Sequence, residues 1–204
     1  MRIAFICAVL LADCLAVARA SGISFIDRRA APETNGAWAA AASPGFPAGL
    51  TVLTAAGALW EGGDDRLGRA LWQSLDADAI SGASTLVLKE SFQRERPSRT
   101  GNPNEWFKGP QAHSFPSGDV SATAALVTPL ILEYREDHPS IYFFAALPVF
   151  DMAARVEAQA HWQTDVLAGG AVGMLSAYFA RRFKEPLILR VMPKGFALGL
   201  RRRF

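Results

Sequence analysis

The chain has 204 residues, half of them hydrophobic and a fifth charged, with a formal net charge of +2. That length suits one domain with its own core, and so small a charge excludes the electrostatic footprint of a nucleic-acid-binding protein. Both cysteines, Cys7 and Cys14, fall within residues 1–20, so a chain cleaved after that stretch has neither a disulfide nor a thiol nucleophile.

Residues 1–20 combine a basic start at Arg2, an apolar run from Ile3 and Ala18-Arg19-Ala20 before Ser21. This is the pattern of a secretory signal peptide, with an uncleaved N-terminal membrane anchor as the alternative. Either implies export, to the periplasm or to the inner membrane with the site facing the periplasm. Residues 21–45, rich in Ala, Pro, Gly and Asn without a clear period, read as an irregular lead-in that offers no chemistry. A helical bundle is expected over 46–185. Residues 186–204, ending in Arg201-Arg202-Arg203-Phe204, read as a basic tail or short hairpin.

Within the bundle, Phe46 to Trp60 is an apolar run read as a buried helix that stops at Glu61-Gly62-Gly63-Asp64-Asp65. Leu67 to Glu95 has helical periodicity through Leu71, Leu75, Ile80 and Leu86 and is closed by Pro97. Pro97 to Ser117, dense in Pro, Gly, Asn and Ser, is a long loop of the kind that carries function. Its Trp106 and Phe107 are expected to pack it onto the bundle, the alternative being contact with a lipid or aromatic leaving group.

Helical runs over Asp119 to Tyr134, Ser140 to Ala158, and His161 or Trp162 to Phe183 follow, with Pro129 and Pro148 expected to kink the first two. Short connections imply antiparallel neighbours. The fold class is therefore all-α, a helical bundle of about five main helices with a long active-site loop. The apolar runs fall short of the roughly 20 residues of a membrane span, and Asp76, Asp78 and Asp151 interrupt would-be helices. An exported bundle is favoured, with membrane association as the alternative.

Three blocks carry chemistry. Lys89 and Arg96, seven apart in KESFQRERP, would share one helix face and reach one anion. Ser117-Gly118-Asp119 opens a helix, where a capping side chain, close backbone approach and free N–H groups suit an anion. In AARVEAQAHWQTD the spacing is Arg155-x5-His161-x3-Asp165. Asp165, four residues on, can hold the imidazole by one nitrogen and leave the other free to attack, while Arg155 brings a planar guanidinium suited to phosphate. Taken singly, each block also reads as ordinary structure: a solvated face, a helix cap, an ion pair. No His/Cys/Asp cluster has metal-ligand spacing, so neither a metal nor another cofactor is expected.

Taken together, Lys89-x6-Arg96-Pro97, Pro116-Ser117-Gly118 and Arg155-x5-His161-x3-Asp165, with the HW-x-x-DVLAG continuation, resemble the three-part signature of the type 2 phosphatidic acid phosphatases. Those enzymes share a fold and site with bacterial class A acid phosphatases and vanadium haloperoxidases. The resemblance covers Lys89 to Gly170 and implies a metal-independent phosphatase acting on phosphomonoesters or lipid phosphates. By that resemblance His161 attacks phosphorus to form a phosphohistidine and Asp165 orients its ring. Lys89, Arg96, Arg155, Ser117 and Gly118 hold the phosphoryl oxygens, and vanadate would bind as a phosphate mimic.

Two positions depart from the pattern: Asp119 stands where the family usually has histidine, and Ala154 where it usually has serine. The missing histidine would have protonated the leaving group. An aspartic acid is ordinarily ionised at neutral pH, so Asp119 can donate only where its surroundings favour the acid form. Three outcomes stay open: an acid-optimum phosphatase using Asp119, rescue by His113 from the long loop, or a catalytically weak or inactive phosphate- or lipid-binding protein. A vanadate-dependent haloperoxidase is a further alternative. The partner implied is a phosphorylated small molecule or lipid; the sequence does not specify an oligomeric state.

Overall fold

The computed structural model describes residues 26–31, 43, 45–183 and 185–188. The expectations for residues 1–20 and for the tail beyond 188 lie outside the described residues. Helix α1, Gly45–Glu61, tolerates Pro47 because the first turn has no partner for that missing N–H. It ends where Gly62 takes a φ of 77° and donates its N–H to the Ala58 carbonyl at 3.0 Å. The turn then folds tightly onto the next helix: a Cβ on Gly68 would stand 2.9 Å from the Gly62 carbonyl carbon, so only glycine fits. Asp65 caps α2, Arg66–Phe92, by accepting the Gly68 N–H at 2.6 Å.

Helix α2 stops earlier than its periodicity suggests. Gln93 adopts a left-handed φ of 42° and donates its N–H to the Lys89 carbonyl, so Glu95 and Arg96 lie beyond the helix. The backbone after the cap pairs with the long loop instead: Glu95 N–H donates to Glu105, Phe107 N–H to Phe92, Lys108 N–H to Gln93 and Ser114 N–H to Arg94. These pairings satisfy polar groups that a continued helix would have satisfied internally. An aromatic cluster fastens the loop, with Phe115 edge-on to Phe92 at 5.2 Å and to Trp106 at 5.3 Å. Trp106 thus packs the loop as expected, whereas Phe107 is 60% exposed.

Helix α3 spans Gly118–Tyr134 and contains Pro129. The single kinked helix expected over Ser140 to Ala158 is instead two elements, a 3₁₀ helix, Pro139–Ala145, and helix α4, Ala146–Glu157. Pro148 explains the break. It lacks an N–H and its ring would clash with the carbonyl four residues back, so it is accommodated in the first turn of a new helix. Helix α5, Gln163–Ala180, follows a tight turn at Gln159, whose φ is 53°.

The bundle is all-α, with no strand among the described residues. Helices α2, α3 and α5 pack on one another and α1 lies along α2. Small residues fill the centre: Ala77, Ala125, Ala177 and Ala180 are fully buried. At Gly173 a Cβ would overlap the Ser121 carbonyl oxygen and stand 2.8 Å from the Ala124 Cβ, so α5 and α3 meet backbone to backbone. Several large apolar side chains face outward, while Trp72, Phe92, Leu126 and Trp162 are buried. Helix α1, expected to be buried, buries only Pro47 and Ala58, and its Leu53 and Trp60 are 71% and 81% exposed. It lies along α2, and among the described residues no further layer covers its outer face. Among the described residues no helix is long and apolar enough to cross a membrane.

Candidate functional site

The three blocks meet at one end of the bundle, where α2 and α4 finish and α3 and α5 begin. Although Arg96 is not on the helix with Lys89, the two cations still converge. Lys89 Nζ donates to the His113 carbonyl at 2.8 Å, and an Arg96 guanidinium nitrogen donates to the same oxygen at 3.5 Å. The reversal at Gln93 and the folded-back loop bring them together, where the sequence reading relied on helical spacing. Lys89 also runs beside the start of α3, since a Cβ on Gly118 would sit 3.7 Å from Lys89 Cε.

Ser117 is the N-cap of α3, yet its side chain makes no cap hydrogen bond, and its Oγ is buried with no protein partner. A buried hydroxyl at a helix N-terminus, next to cations, is the arrangement that an oxyanion satisfies. Its own N–H donates to the Asp165 carbonyl at 3.0 Å, tying α3 to α5. A side chain at Gly169 would push into Ser117, coming within 3.3 Å of its Cβ, so this glycine sets the approach.

Arg155 ends α4 and is buried. Its Nε donates to Asp151 at 3.0 Å and its NH1 pairs with Asp119 at 3.0 Å. Asp151, which interrupts an otherwise apolar run, is therefore the inner partner of Arg155, and Thr123 Oγ1 donates to it at 3.2 Å. Burial pushes the Asp151 carboxyl up, against the pull of Arg155. Asp119 is the outer partner, half-buried, and it occupies the outer side of the guanidinium. Ala154 is fully buried.

The turn after α4 carries the chain from Arg155 to His161, whose N–H donates to the Arg155 carbonyl at 3.2 Å. His161 lies ahead of α5 rather than on it. Its Nδ1 is 2.7 Å from the Ser114 carbonyl oxygen and 3.8 Å from Asp165, so the carbonyl, not the carboxylate, is the hydrogen-bond acceptor. Since a carbonyl can only accept, Nδ1 carries the proton and the neutral ring leaves Nε2 with the lone pair. Burial lowers the His161 pKa; Lys89 and Arg96 push the same way, while Asp165 opposes. The neutral nucleophilic form is favoured.

Asp165 acts one step behind the ring. It accepts from Ser114 Oγ at 2.5 Å and from the Trp162 N–H at 2.9 Å, holding the side chain of the residue whose carbonyl meets the ring and the backbone just after His161. Burial alone would raise its carboxyl, but the imidazole, Arg94 and Ser114 outweigh it and hold it below the usual carboxylate range. Lys89 is pushed down to about 8, first by burial and then by Arg96, with Asp165 and Asp119 pulling the other way. Burial also works against the Arg96 charge. The His113 ring does not join the cations, because its Nε2 stands 3.2 Å from Glu90 on the other side.

Two residues that sequence reading passed over complete the arrangement. Arg94, in the middle of KESFQRERP, is 1% exposed and pairs with Asp165 at 2.5 Å and with Asp27 at 2.6 Å. Asp27 belongs to the lead-in that was assigned no chemistry. The acidic and basic residues are legible, but only the fold reveals that they are buried together. Among the described residues no group of three or more His, Cys, Asp or Glu is arranged to hold a metal ion.

The chain matches the PAP2 superfamily over residues 70–188, more than half its length and including every residue of the three blocks. The chain belongs to the PAP2 superfamily. Among curated proteins it is similar to a lipid A 1-phosphatase of Porphyromonas gingivalis, 32% identical over 128 residues. That stretch takes in 62% of this chain and 26% of the relative, so the match reaches about a quarter of that protein's length. No solved structure matches the chain. The PAP2 match begins inside α2 and ends where the described residues do, so α1 and the Asp27 segment lie outside it.

Proposed function

We propose that the chain is a metal-independent phosphatase that moves the phosphoryl group of a phosphomonoester, and of a lipid phosphate in particular, first to His161 and then to water. One observation carries this reading: Lys89 and Arg96 converge on the His113 carbonyl beside the unpartnered, buried Ser117 hydroxyl. Phosphoryl transfer needs an in-line nucleophile and fixed positive charge around the equatorial oxygens. Nε2 of His161 supplies the lone pair; Lys89, Arg96, Arg155 and the N-terminus of α3 supply the charge.

In the first step the Nε2–P bond forms as the ester P–O bond breaks, and the departing alkoxide takes a proton. In this reading Asp119 gives it. A phosphoryl oxygen takes over Arg155 and releases Asp119 from the ion pair to serve as proton donor. In the second step water attacks phosphorus, its proton returns to Asp119, and the P–N bond breaks to release phosphate. The lipid preference is supported by the relative's activity on lipid A and by exposed Leu86, Val87, Phe107 and Leu167 at the same end of the bundle as the cations. Residues 1–20 support a periplasmic or membrane-associated location, and the outward apolar side chains of α1 fit contact with lipid.

The second reading, a phosphate binder without turnover, is favoured by one observation: Asp119 already occupies Arg155. The test is hydrolysis of p-nitrophenyl phosphate and of phosphatidic acid in mixed micelles, with a chelator present. Turnover is expected with both, faster on the lipid and in acid, and lost in His161→Ala. Asp119→His is expected to raise the rate at neutral pH about 10-fold, a partial recovery of the roughly 10²–10⁴-fold that a matched general acid supplies. Unchanged turnover in His161→Ala contradicts the nucleophile. Phosphate or vanadate binding with no hydrolysis from acid to neutral pH favours the binder, and halide oxidation with vanadate and peroxide would mark a haloperoxidase.

A further inference from the structure

The Asp27 segment crosses the start of α5 and is fastened there by a dense set of bonds. Arg28 N–H donates to Gln163 Oε1 and Gln163 Nε2 donates back to the Arg28 carbonyl, each at 2.9 Å. Gln159 Nε2 donates to the Ala30 carbonyl at 2.5 Å. Asp27 itself accepts from the Thr164 N–H at 2.8 Å and the Thr164 hydroxyl at 2.7 Å. Its remaining partner is Arg94, which is also held by Thr164 Oγ1 and by the Pro103 carbonyl, with its guanidinium 4.3 Å from the Trp106 ring centroid and 5.5 Å from that of Trp162.

A buried arginine enclosed by aromatic rings and fixed by two carboxylates has no freedom to bind a ligand. What it can do is hold Asp165. We infer that Asp27 and Arg94 are positioning residues that fix the nucleophilic imidazole through Asp165 and Ser114. The chain of contacts is continuous. Asp27 orients Arg94, Arg94 fixes one Asp165 oxygen, the other Asp165 oxygen fixes Ser114 and the Trp162 N–H, and the Ser114 carbonyl receives His161 Nδ1.

Charge gives the arrangement its second effect. Asp27, Arg94 and Asp165 together carry one net negative charge while His161 is neutral. When the ring becomes cationic, as it does on taking up a phosphoryl group, the four groups sum to zero. Lys89 and Arg96 face the same ring and disfavour its charge, so the buried negative charge behind it opposes them. An Asp27 that is absent or neutral leaves the cationic ring uncompensated.

This inference rests on His161 as the nucleophile, and its test reads the ring independently of turnover. In Asp27→Asn, nitrogen-15 NMR of His161 is expected to show its titration displaced to lower pH and the Nδ1–H form less dominant. The rate constant kcat is expected to fall roughly 10- to 100-fold with KM nearly unchanged, the size of effect that slight misplacement of a reacting group produces. A folded variant with the wild-type titration, tautomer and kcat would overturn the inference. If Asp27→Asn does not fold, Thr164→Val loosens the same carboxylate without removing a charge. A fall in kcat at constant KM then supports the inference, and wild-type kcat overturns it. A wild-type chain that hydrolyses nothing contradicts the phosphatase reading instead, while the NMR comparison still decides this one.

Discussion

His161 is held by a carbonyl, Asp165 holds that carbonyl in place, and Lys89 waits in front with its proton weakly bound. In the proposed reaction the last of these adds a further fall at alkaline pH to the one that Asp119 sets. Burial brings Lys89 down to about 8, so the unliganded chain loses this cation as pH rises through that value, where an exposed lysine would keep it. On the acid side His161, lowered by burial, keeps its lone pair to a pH below the usual histidine range. The expected profile of kcat/KM therefore falls further above a pH of about 8. Lys89→Arg is expected to move that limb upward, because a guanidinium stays protonated throughout the range. A limb that stays in place in the variant would mean that another group controls it.

At this scale part was legible: spacing puts Arg155, His161 and Asp165 close along the chain, the resemblance groups Lys89 and Ser117 with them, and the fold sets all five at one end of the bundle. The direct contact of Asp165 with the imidazole was misjudged. Helical i, i+4 geometry assumes that His161 is inside the helix, and it lies just before it. Asp151 had a readable signal, four residues ahead of Arg155 on one helix face. Arg94 had none, since a basic residue among Lys89, Glu95 and Arg96 looks solvated until the loop closes over it.

The elements are positioned by glycines as much as by apolar residues. Gly173→Ala adds helix propensity of about 1 kcal/mol, but its Cβ would stand 2.9 Å from the backbone nitrogen of Ala125 and overlap the Ser121 carbonyl. Backbone cannot give way as a side chain tip can, and overpacking of this kind costs about 1–3 kcal/mol, so the variant is expected to be destabilised. Gly49→Ala on α1 and Gly82→Ala on α2 meet nothing within 4 Å and should be neutral or stabilising by the propensity gain. Urea unfolding of the three variants checks the contrast; a Gly173→Ala protein as stable as the other two would show that α3 and α5 are not in backbone contact.

Helix type and order followed from periodicity, while two boundaries did not. The end of α2 depends on Gln93 taking a left-handed conformation that no glycine announces, and it is fixed by long-range pairing with the loop. The break before α4 was marked by Pro148, but its position in a first turn rather than at a kink is set by the 3₁₀ helix that precedes it.

Across the whole molecule, polarity is divided by position. Apart from Asp76, which accepts the Leu187 and Ile188 N–H groups, buried charge gathers at the end where α2 and α4 finish, small residues occupy the centre, and exposed large apolar side chains include Leu53, Trp60 and Phe143. The exposure of α1 was not legible, since an apolar run of that length reads equally as core or as a surface that meets lipid. An apolar groove of ≈ 550 Å³ lined by Leu67, Leu71, Leu130, Tyr134, Ile141 and Phe144 lies where α2 begins and α3 finishes, away from the cations. The proposed chemistry is thus confined to one end, assembled from the lead-in, α2, the long loop, the end of α4 and the starts of α3 and α5.

The claim that unites these parts is that this end of the molecule passes a phosphoryl group through His161. Rapid mixing of the intact protein with phosphatidic acid, an alkaline quench that preserves P–N bonds, and mass spectrometry of its peptides test it most directly. The expected result is a phosphoryl group on His161 that forms before phosphate accumulates and is absent in His161→Ala. Hydrolysis that proceeds with no phosphorylated His161, or with the label on another residue, would contradict it.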